Sequence, residues 1–141
     1  MYQENFELAG QRLTLESGEM ARRADGSVVL RHGDTFILAT VVAGVEPRGA
    51  DFLPLTVEYR EKMSANCRIP GSFLRRELRP AEHETALSRL IDRSIRPLIP
   101  AEFNFETQVQ VTVFSVDDAT DLQGMSIIAA GAALHLSDIP F

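Results

Sequence analysis

Apolar and polar residues alternate through much of the first half of the chain, and this period of two predicts a succession of β-strands. Residues 6–16 and 53–59 show the alternation most clearly. Asp25-Gly26 and Gly33-Asp34 are typical of hairpin turns, so a strand is expected on each side of both dipeptides. Residues 35–45 are apolar or β-branched almost throughout, which favours a strand buried on both faces.

The pattern becomes helical in the second half of the chain. After an irregular stretch over 60–79, which we interpret as a long loop, Pro80 is well placed as the first residue of a helix. Pro97 and Pro100 end that helix. Its core-facing stripe consists of leucine and isoleucine at helical spacing: Leu87, Leu90, Ile91, Ile95 and Leu98.

A strand and a last helix complete the pattern. Alternating valines predict the strand over 109–113, and Asp121 is suited to cap a helix from Leu122 to about Leu136. Small residues at 129–133 would let another element approach that helix closely. The order of about five strands, a helix, a strand and a helix predicts an α+β domain, with helices packed on a mostly antiparallel sheet.

Composition places few limits on function. The chain has 141 residues, enough for one compact domain, and a formal net charge of -6. Its apolar runs are too short to span a membrane, so we expect no membrane partner. No secretory signal is visible at the N-terminus, and the single cysteine, Cys67, excludes an intrachain disulfide. We therefore expect a cytoplasmic protein.

Arginine is concentrated in one segment despite the acidic net charge. Seven arginines and no lysine lie between residues 68 and 96: Arg68, Arg75, Arg76, Arg79, Arg89, Arg93 and Arg96. Guanidinium groups suit planar, bidentate binding of phosphate or carboxylate. RNA or a phosphorylated substrate is therefore the first ligand class to consider.

Two groups within this segment could bind such a ligand. Arg89, Arg93 and Arg96 share one face of the predicted helix and could donate to phosphate oxygens, or form a solvated face paired with Asp92. The run Phe73-Leu74-Arg75-Arg76 combines an aromatic ring with two guanidinium groups, as in single-strand nucleic-acid binding. Equally, Phe73 could be a buried anchor of the loop.

Other catalytic or metal-binding patterns are weak. The carboxylates Asp117, Asp118 and Asp121 are better read as helix capping than as a metal site. The three histidines lack metal-ligand spacing, and no catalytic triad or glycine-rich phosphate loop is visible. We therefore assign no metal site and no catalytic residue to this chain.

Several long motifs resemble bacterial polynucleotide phosphorylase. They are RIPGSFLRRELRP at 68–80, LIDRSIRPL at 90–98, DFLPLTV at 51–57 and LSDIPF at 136–141. The resemblance extends from about Phe6 to the end and is to the N-terminal part of the first RNase PH-like core domain. It implies an RNase PH-like fold (ribosomal protein S5 domain 2-like), partial and apparently truncated over 1–141, with no second domain in this chain.

The resemblance also implies an activity. Members of that family degrade single-stranded RNA from its 3′ end, use inorganic phosphate to release nucleoside diphosphates, and run in reverse as template-free polymerases. They act as homotrimers with Mg²⁺, in some cases with RNA degradosome components as partners. Their phosphate-binding, metal-binding and catalytic groups belong to the second core domain. The implied role of this segment is therefore RNA binding, without catalytic groups or magnesium ligands of its own.

Individual residues match the motifs of that family. The resemblance implies RNA binding for Phe73, Arg75 and Arg76, and support of the active-site cleft for Arg89, Arg93 and Arg96. This chain departs from the family at three positions, with Leu74 in place of a second aromatic, Cys67 in place of glycine and Ser94 in place of proline. Two alternatives stay open: a non-catalytic RNA-binding or assembly module, and a site for a small carboxylate metabolite.

Overall fold

The computed structural model describes residues 2–47, 52–69, 77, 79–117 and 120–141. The strands in this part are β1 Tyr2–Leu8, β2 Gln11–Ser17, β3 Gly26–His32, β4 Thr35–Pro47, β5 Leu55–Glu61 and β6 Phe105–Ser115. The α-helices are α1 Glu82–Ile95 and α2 Leu122–His135, and 3-10 turns lie at Met63–Asn66 and Arg96–Leu98. The predicted order of strands and helices is confirmed.

The strands form one sheet in the order β1-β2-β3-β4-β6-β5. Neighbouring strands are antiparallel except for β5 and β6, which run parallel. Helix α2 packs across β3, β4 and β6, while α1 packs against β5 and α2. This arrangement confirms the α+β prediction of helices on a mostly antiparallel sheet.

The core lies between the helices and the inner face of the sheet. Ile37, Ala39 and Val41 of β4 point into it and are fully buried. On the outer face of the same strand, Phe36 is half-buried and Val42 is 46% exposed. The expectation that this strand is buried on both faces was therefore wrong, because both helices lie on the inner face.

Helix α1 corrects two further expectations. It begins at Glu82 rather than Pro80, with Ala81 at the N-cap position. The Ala81 N–H donates to Glu84 Oε2 at 2.6 Å, and this bond satisfies a backbone donor that the first turn leaves unpaired. Leu90 and Leu98 are 40% and 60% exposed, so neither belongs to the buried stripe.

Gly26 is a strand residue and not part of a tight hairpin turn. The connection between β2 and β3 occupies residues 18–25, and Asp25 Oδ2 accepts a hydrogen bond of 2.6 Å from the Ala43 N–H. A Cβ atom at residue 26 would lie 2.1 Å from the carbonyl oxygen of Ala133 in α2. The glycine is therefore required for close helix–sheet packing, and the small residues of α2 allow that approach, as predicted.

The predicted turn at Gly33-Asp34 is confirmed. His32 pairs with Thr35 across this two-residue loop, and Gly33 has a φ of 54°. Glycine adopts this left-handed conformation at little cost, which explains its position in the hairpin.

We predict that Gly26→Ala lowers the free energy of unfolding by about 1–3 kcal/mol, because the new methyl group forces α2 away from β3. Urea unfolding followed by circular dichroism would measure the change. Gly44→Ala is the matched control, since a Cβ there meets Glu106 at an ordinary 3.6 Å. Equal stabilities for the two variants would contradict the packing argument.

Candidate functional site

Helix α1 presents three adjacent rows of residues on its surface. Within each row, successive residues are four positions apart in the sequence. The first row, Leu87, Ile91 and Ile95, is buried in the core. The second row is polar, faces the outer edge of β5 and extends into the 3-10 turn that follows the helix: Glu84, Ser88, Asp92 and Arg96. The third row is exposed to solvent: Thr85, Arg89 and Arg93. Core, sheet edge and solvent therefore each contact a different row of one helix.

The second row satisfies backbone donors at the free edge of β5. The Tyr59 N–H donates to Ser88 Oγ at 3.0 Å, and the Glu61 N–H donates to Glu84 Oε1 at 2.8 Å. Among the described strands, β5 pairs with β6 alone, so these N–H groups have no partner in another described strand. Because an unpaired buried N–H is costly, the two side chains stabilise the end of the sheet.

Arg96 satisfies backbone acceptors at the same edge. Its Nη1 donates to the Leu53 carbonyl at 3.0 Å and its Nη2 to the Leu55 carbonyl at 3.2 Å. Asp92 accepts from the same guanidinium through both carboxylate oxygens, at 2.8 and 2.6 Å. The hydrogen bonds to Asp92 raise the pKa of Arg96 above its ordinary value, so this arginine stays charged.

The third row of α1 borders an open cleft of about 360 Å³. Its other wall is the edge of β5. The lining residues are Val57, Glu58, Tyr59, Arg60, Pro80, Thr85, Ser88, Arg89, Asp92 and Arg93. The cleft therefore combines three arginines with hydroxyl groups and two carboxylates.

Both carboxylates of the cleft have partners among the described residues, whereas its arginines have none there. Asp92 is paired with Arg96, and Glu58 Oε2 accepts a hydrogen bond of 3.3 Å from Gln110 Nε2. Within the residues that the structure describes, Arg60, Arg89 and Arg93 form no hydrogen bond or ion pair. The arrangement is suited to bind an anion.

Tyr59 is one of the residues that line the cleft, and its hydroxyl stays protonated at neutral pH. Burial raises the pKa of its hydroxyl, and so does its hydrogen bond of 2.8 Å to Glu61 Oε1. The hydroxyl therefore donates to Glu61 and is not a general base at neutral pH.

The predicted site residues fall into three groups in the structure. Arg89 and Arg93 line the cleft together, as their spacing on the helix suggested. Arg96 points to the β5 edge instead, since it lies in the neighbouring row. Phe73, Arg75 and Arg76 lie outside the described residues.

Asp121 has a structural role at the start of α2. Asp121 is the N-cap of α2 and its Oδ1 accepts from the Gln123 N–H at 3.1 Å, which confirms the capping prediction. Asp118 lies outside the described residues. In the described part of the chain, no three histidine, cysteine or carboxylate side chains gather as metal ligands.

Neither described helix has the length and apolar character needed to cross a lipid bilayer.

Sequence reasoning missed Arg60 as a residue of the cleft. An arginine in an alternating strand is usually a solvated side chain, and nothing local marks this one. Its place in the cleft depends on β5 being the edge strand beside α1, which only the tertiary structure shows.

Comparison with known proteins identifies relatives over nearly the whole chain. Residues 9–140 match the model of the 3′ exoribonuclease family, domain 1. Polyribonucleotide nucleotidyltransferases from Xanthobacter autotrophicus and Chloroflexus aurantiacus are 52% and 54% identical across 100% of the chain. The enzyme of that name from Roseiflexus castenholzii is 54% identical across 97% of it. The chain spans only 18–20% of the length of these relatives.

Solved structures share the fold. The Archaeoglobus fulgidus exosome with RNA bound to the active site matches with a TM-score of 0.62 and 25% identity, over 92% of this chain and 53% of that chain. Rice (Oryza sativa) Rrp46 matches with a TM-score of 0.67 and 23% identity, over 93% of this chain and 58% of that one. The predicted RNase PH-like fold is confirmed.

We predict that Arg96→Ala lowers the free energy of unfolding by about 1–2 kcal/mol, because Asp92 and two β5 carbonyl groups lose their donor. The guanidinium is partly exposed, so water limits the loss. Arg93→Ala, at an exposed position one row away, should change stability by less than about 0.5 kcal/mol. Urea unfolding of both variants would test the assignment, and similar losses would contradict it.

Proposed function

The chain belongs to the 3′ exoribonuclease family as its domain 1, and we propose that it is the RNA-binding part of a 3′→5′ phosphorolytic exoribonuclease. Inorganic phosphate is the proposed co-substrate, nucleoside diphosphates are the products, and template-free RNA polymerisation is the reverse reaction. The name of the similar nucleotidyltransferases supports this activity. So does the exosome structure with RNA bound to its active site.

The cleft between α1 and β5 is the observation that carries the proposal. Arg89 and Arg93 present their guanidinium groups to solvent without a carboxylate partner in the described part of the chain. RNA carries one negative charge per nucleotide, and arginine binds phosphate oxygens in a bidentate manner. An acidic chain can still attract RNA, because the local field and not the net charge governs that encounter.

The proposed path of RNA continues beyond this cleft. We assign base stacking to Phe73 and phosphate contacts to Arg75 and Arg76, on the basis of the motif that they form. Arg96 has a different role in the proposal. It positions α1 against β5 and so supports the cleft without contacting RNA.

The reacting groups of this proposal come from elsewhere. The described carboxylates do not gather as a cation site, so they do not fit the magnesium ion that the family resemblance implies. Tyr59 is protonated at neutral pH and already donates to Glu61. We therefore propose that catalytic groups and magnesium ligands lie outside the described residues.

Assembly and location belong to the same proposal. A homotrimer in the cytoplasm, with RNA degradosome components as further partners, is what the family resemblance implies. Light scattering of the purified protein would measure the mass of the assembly, and a mass other than three chains would contradict the trimer.

We predict that the 141-residue chain binds single-stranded RNA without degrading it. The assay combines poly(A), inorganic phosphate and magnesium, and measures released nucleoside diphosphate alongside fluorescence anisotropy of labelled RNA. Circular dichroism would establish that the sample is folded. Release of nucleoside diphosphate would place catalytic groups within this chain, and a folded chain without RNA affinity would overturn the RNA-binding assignment.

We predict that Arg89→Gln and Arg93→Gln each weaken RNA binding and reduce its salt dependence. Each lost phosphate contact should lower the slope of log affinity against log salt by roughly 0.7, because fewer counterions are released. Arg12→Gln is the control, since it makes the same charge change at an exposed position of β2. A slope that changes as much in this control would indicate a general charge effect instead of a specific site.

A further inference from the structure

Arg60 adds a third guanidinium group to the cleft, from the sheet instead of the helix. It lies on edge strand β5, where it pairs with Thr112 of β6, and its side chain is half-buried. Arg89 and Arg93 border the same cleft from α1. The cleft therefore has arginine on both of its walls.

Arg60 forms no ion pair within the residues that the structure describes, although Glu58 lines the same cleft. Glu58, two positions earlier on the same strand, accepts from Gln110 at 3.3 Å. Asp92 is held through both oxygens by Arg96. The next carboxylate along β5, Glu61, accepts from the Tyr59 hydroxyl at 2.8 Å and lies 3.3 Å from His83.

Three like charges around so small a space repel one another. A sphere of the cleft's volume, about 360 Å³, is about 9 Å across. This diameter is close to the Debye length of about 8 Å at physiological ionic strength, so salt only partly screens the repulsion. A bound anion would remove that repulsion and gain hydrogen bonds from both walls.

We propose that Arg60 binds one phosphate group in this cleft together with Arg89 and Arg93, which rests on the proposed function above. A planar carboxylate is satisfied by a single guanidinium fork, whereas a tetrahedral phosphate has acceptor oxygens in several directions. Donors on two facing walls therefore favour phosphate. The group can be a phosphodiester of RNA or free inorganic phosphate.

The test compares Arg60→Gln with the wild-type protein in two measurements. The first is the rise in Tm caused by inorganic phosphate, relative to chloride at equal ionic strength. The second is the affinity for a labelled oligoadenylate in phosphate-free buffer. Arg12→Gln controls for net charge, because β2 lies four strands from β5, about 19 Å away at about 4.8 Å per strand.

We expect Arg60→Gln to weaken binding of the phosphate group about tenfold, the effect of one charged hydrogen bond, while Arg12→Gln stays close to wild type. Without added anion, the Tm of Arg60→Gln should equal or exceed that of the wild type, because one of the three repelling charges has been removed. If Arg60→Gln loses affinity for the oligoadenylate alone, the site binds a phosphate of the RNA backbone. A loss in the phosphate measurement alone assigns it to free phosphate, and both outcomes support the proposal.

Three results would overturn the role of Arg60. In the first, Arg60→Gln behaves like Arg12→Gln in both measurements, while Arg89→Gln and Arg93→Gln lose RNA affinity. This result leaves the proposed function intact. The second is a lower Tm without anion and an unchanged response to phosphate and RNA, which indicates a structural role. If Arg60→Gln does not fold, Arg60→Met replaces it as a neutral side chain of similar length, and wild-type responses to phosphate and RNA in that variant are the third. Unchanged RNA affinity in all the cleft variants would instead reject the proposed function.

Discussion

The unpaired edge of strand β5 is the constraint on which the functional part of this molecule depends. A sheet ends with backbone groups that have no strand partner, and such an edge must be covered or it invites aggregation. Here α1 covers it with side-chain acceptors from Glu84 and Ser88 and a side-chain donor from Arg96. Because these bonds occur at several points along α1, they determine both its position and its rotation about its own axis.

That rotation determines which side chains reach the cleft. Successive residues of an α-helix are turned by about 100°, so the positions after Ser88 and Asp92 lie on the solvent side of the residues that bond the sheet edge. Those positions hold Arg89 and Arg93. The bonds that satisfy the sheet edge therefore also direct the arginines outward, and the pairing of Asp92 with Arg96 prevents Asp92 from neutralising them.

Much of the fold follows from local patterns, and the exceptions have physical causes. Periodicity predicted the strands and helices in their correct order, because each buries one apolar face. It misassigned Asp25-Gly26 as a turn, since glycine is required at residue 26 by a close contact with α2, which no local pattern reveals. It also placed Leu90 in the core, because Leu90 lies three residues after Leu87 and this spacing fits a helical stripe, although the structure leaves Leu90 40% exposed.

The candidate site, like the fold, could be predicted from the sequence only where local spacing determines it. Clustered arginines on α1 identified one wall of the cleft from the sequence, whereas Arg60 and the role of Arg96 required knowledge of which strand ends the sheet. Separate rows on α1 also have an evolutionary consequence. Substitutions at the exposed positions 89 and 93 leave the bonds to the sheet edge in place, while those at 84, 88 and 96 remove them. The charge of this surface can therefore diverge among descendants of this domain without a new scaffold.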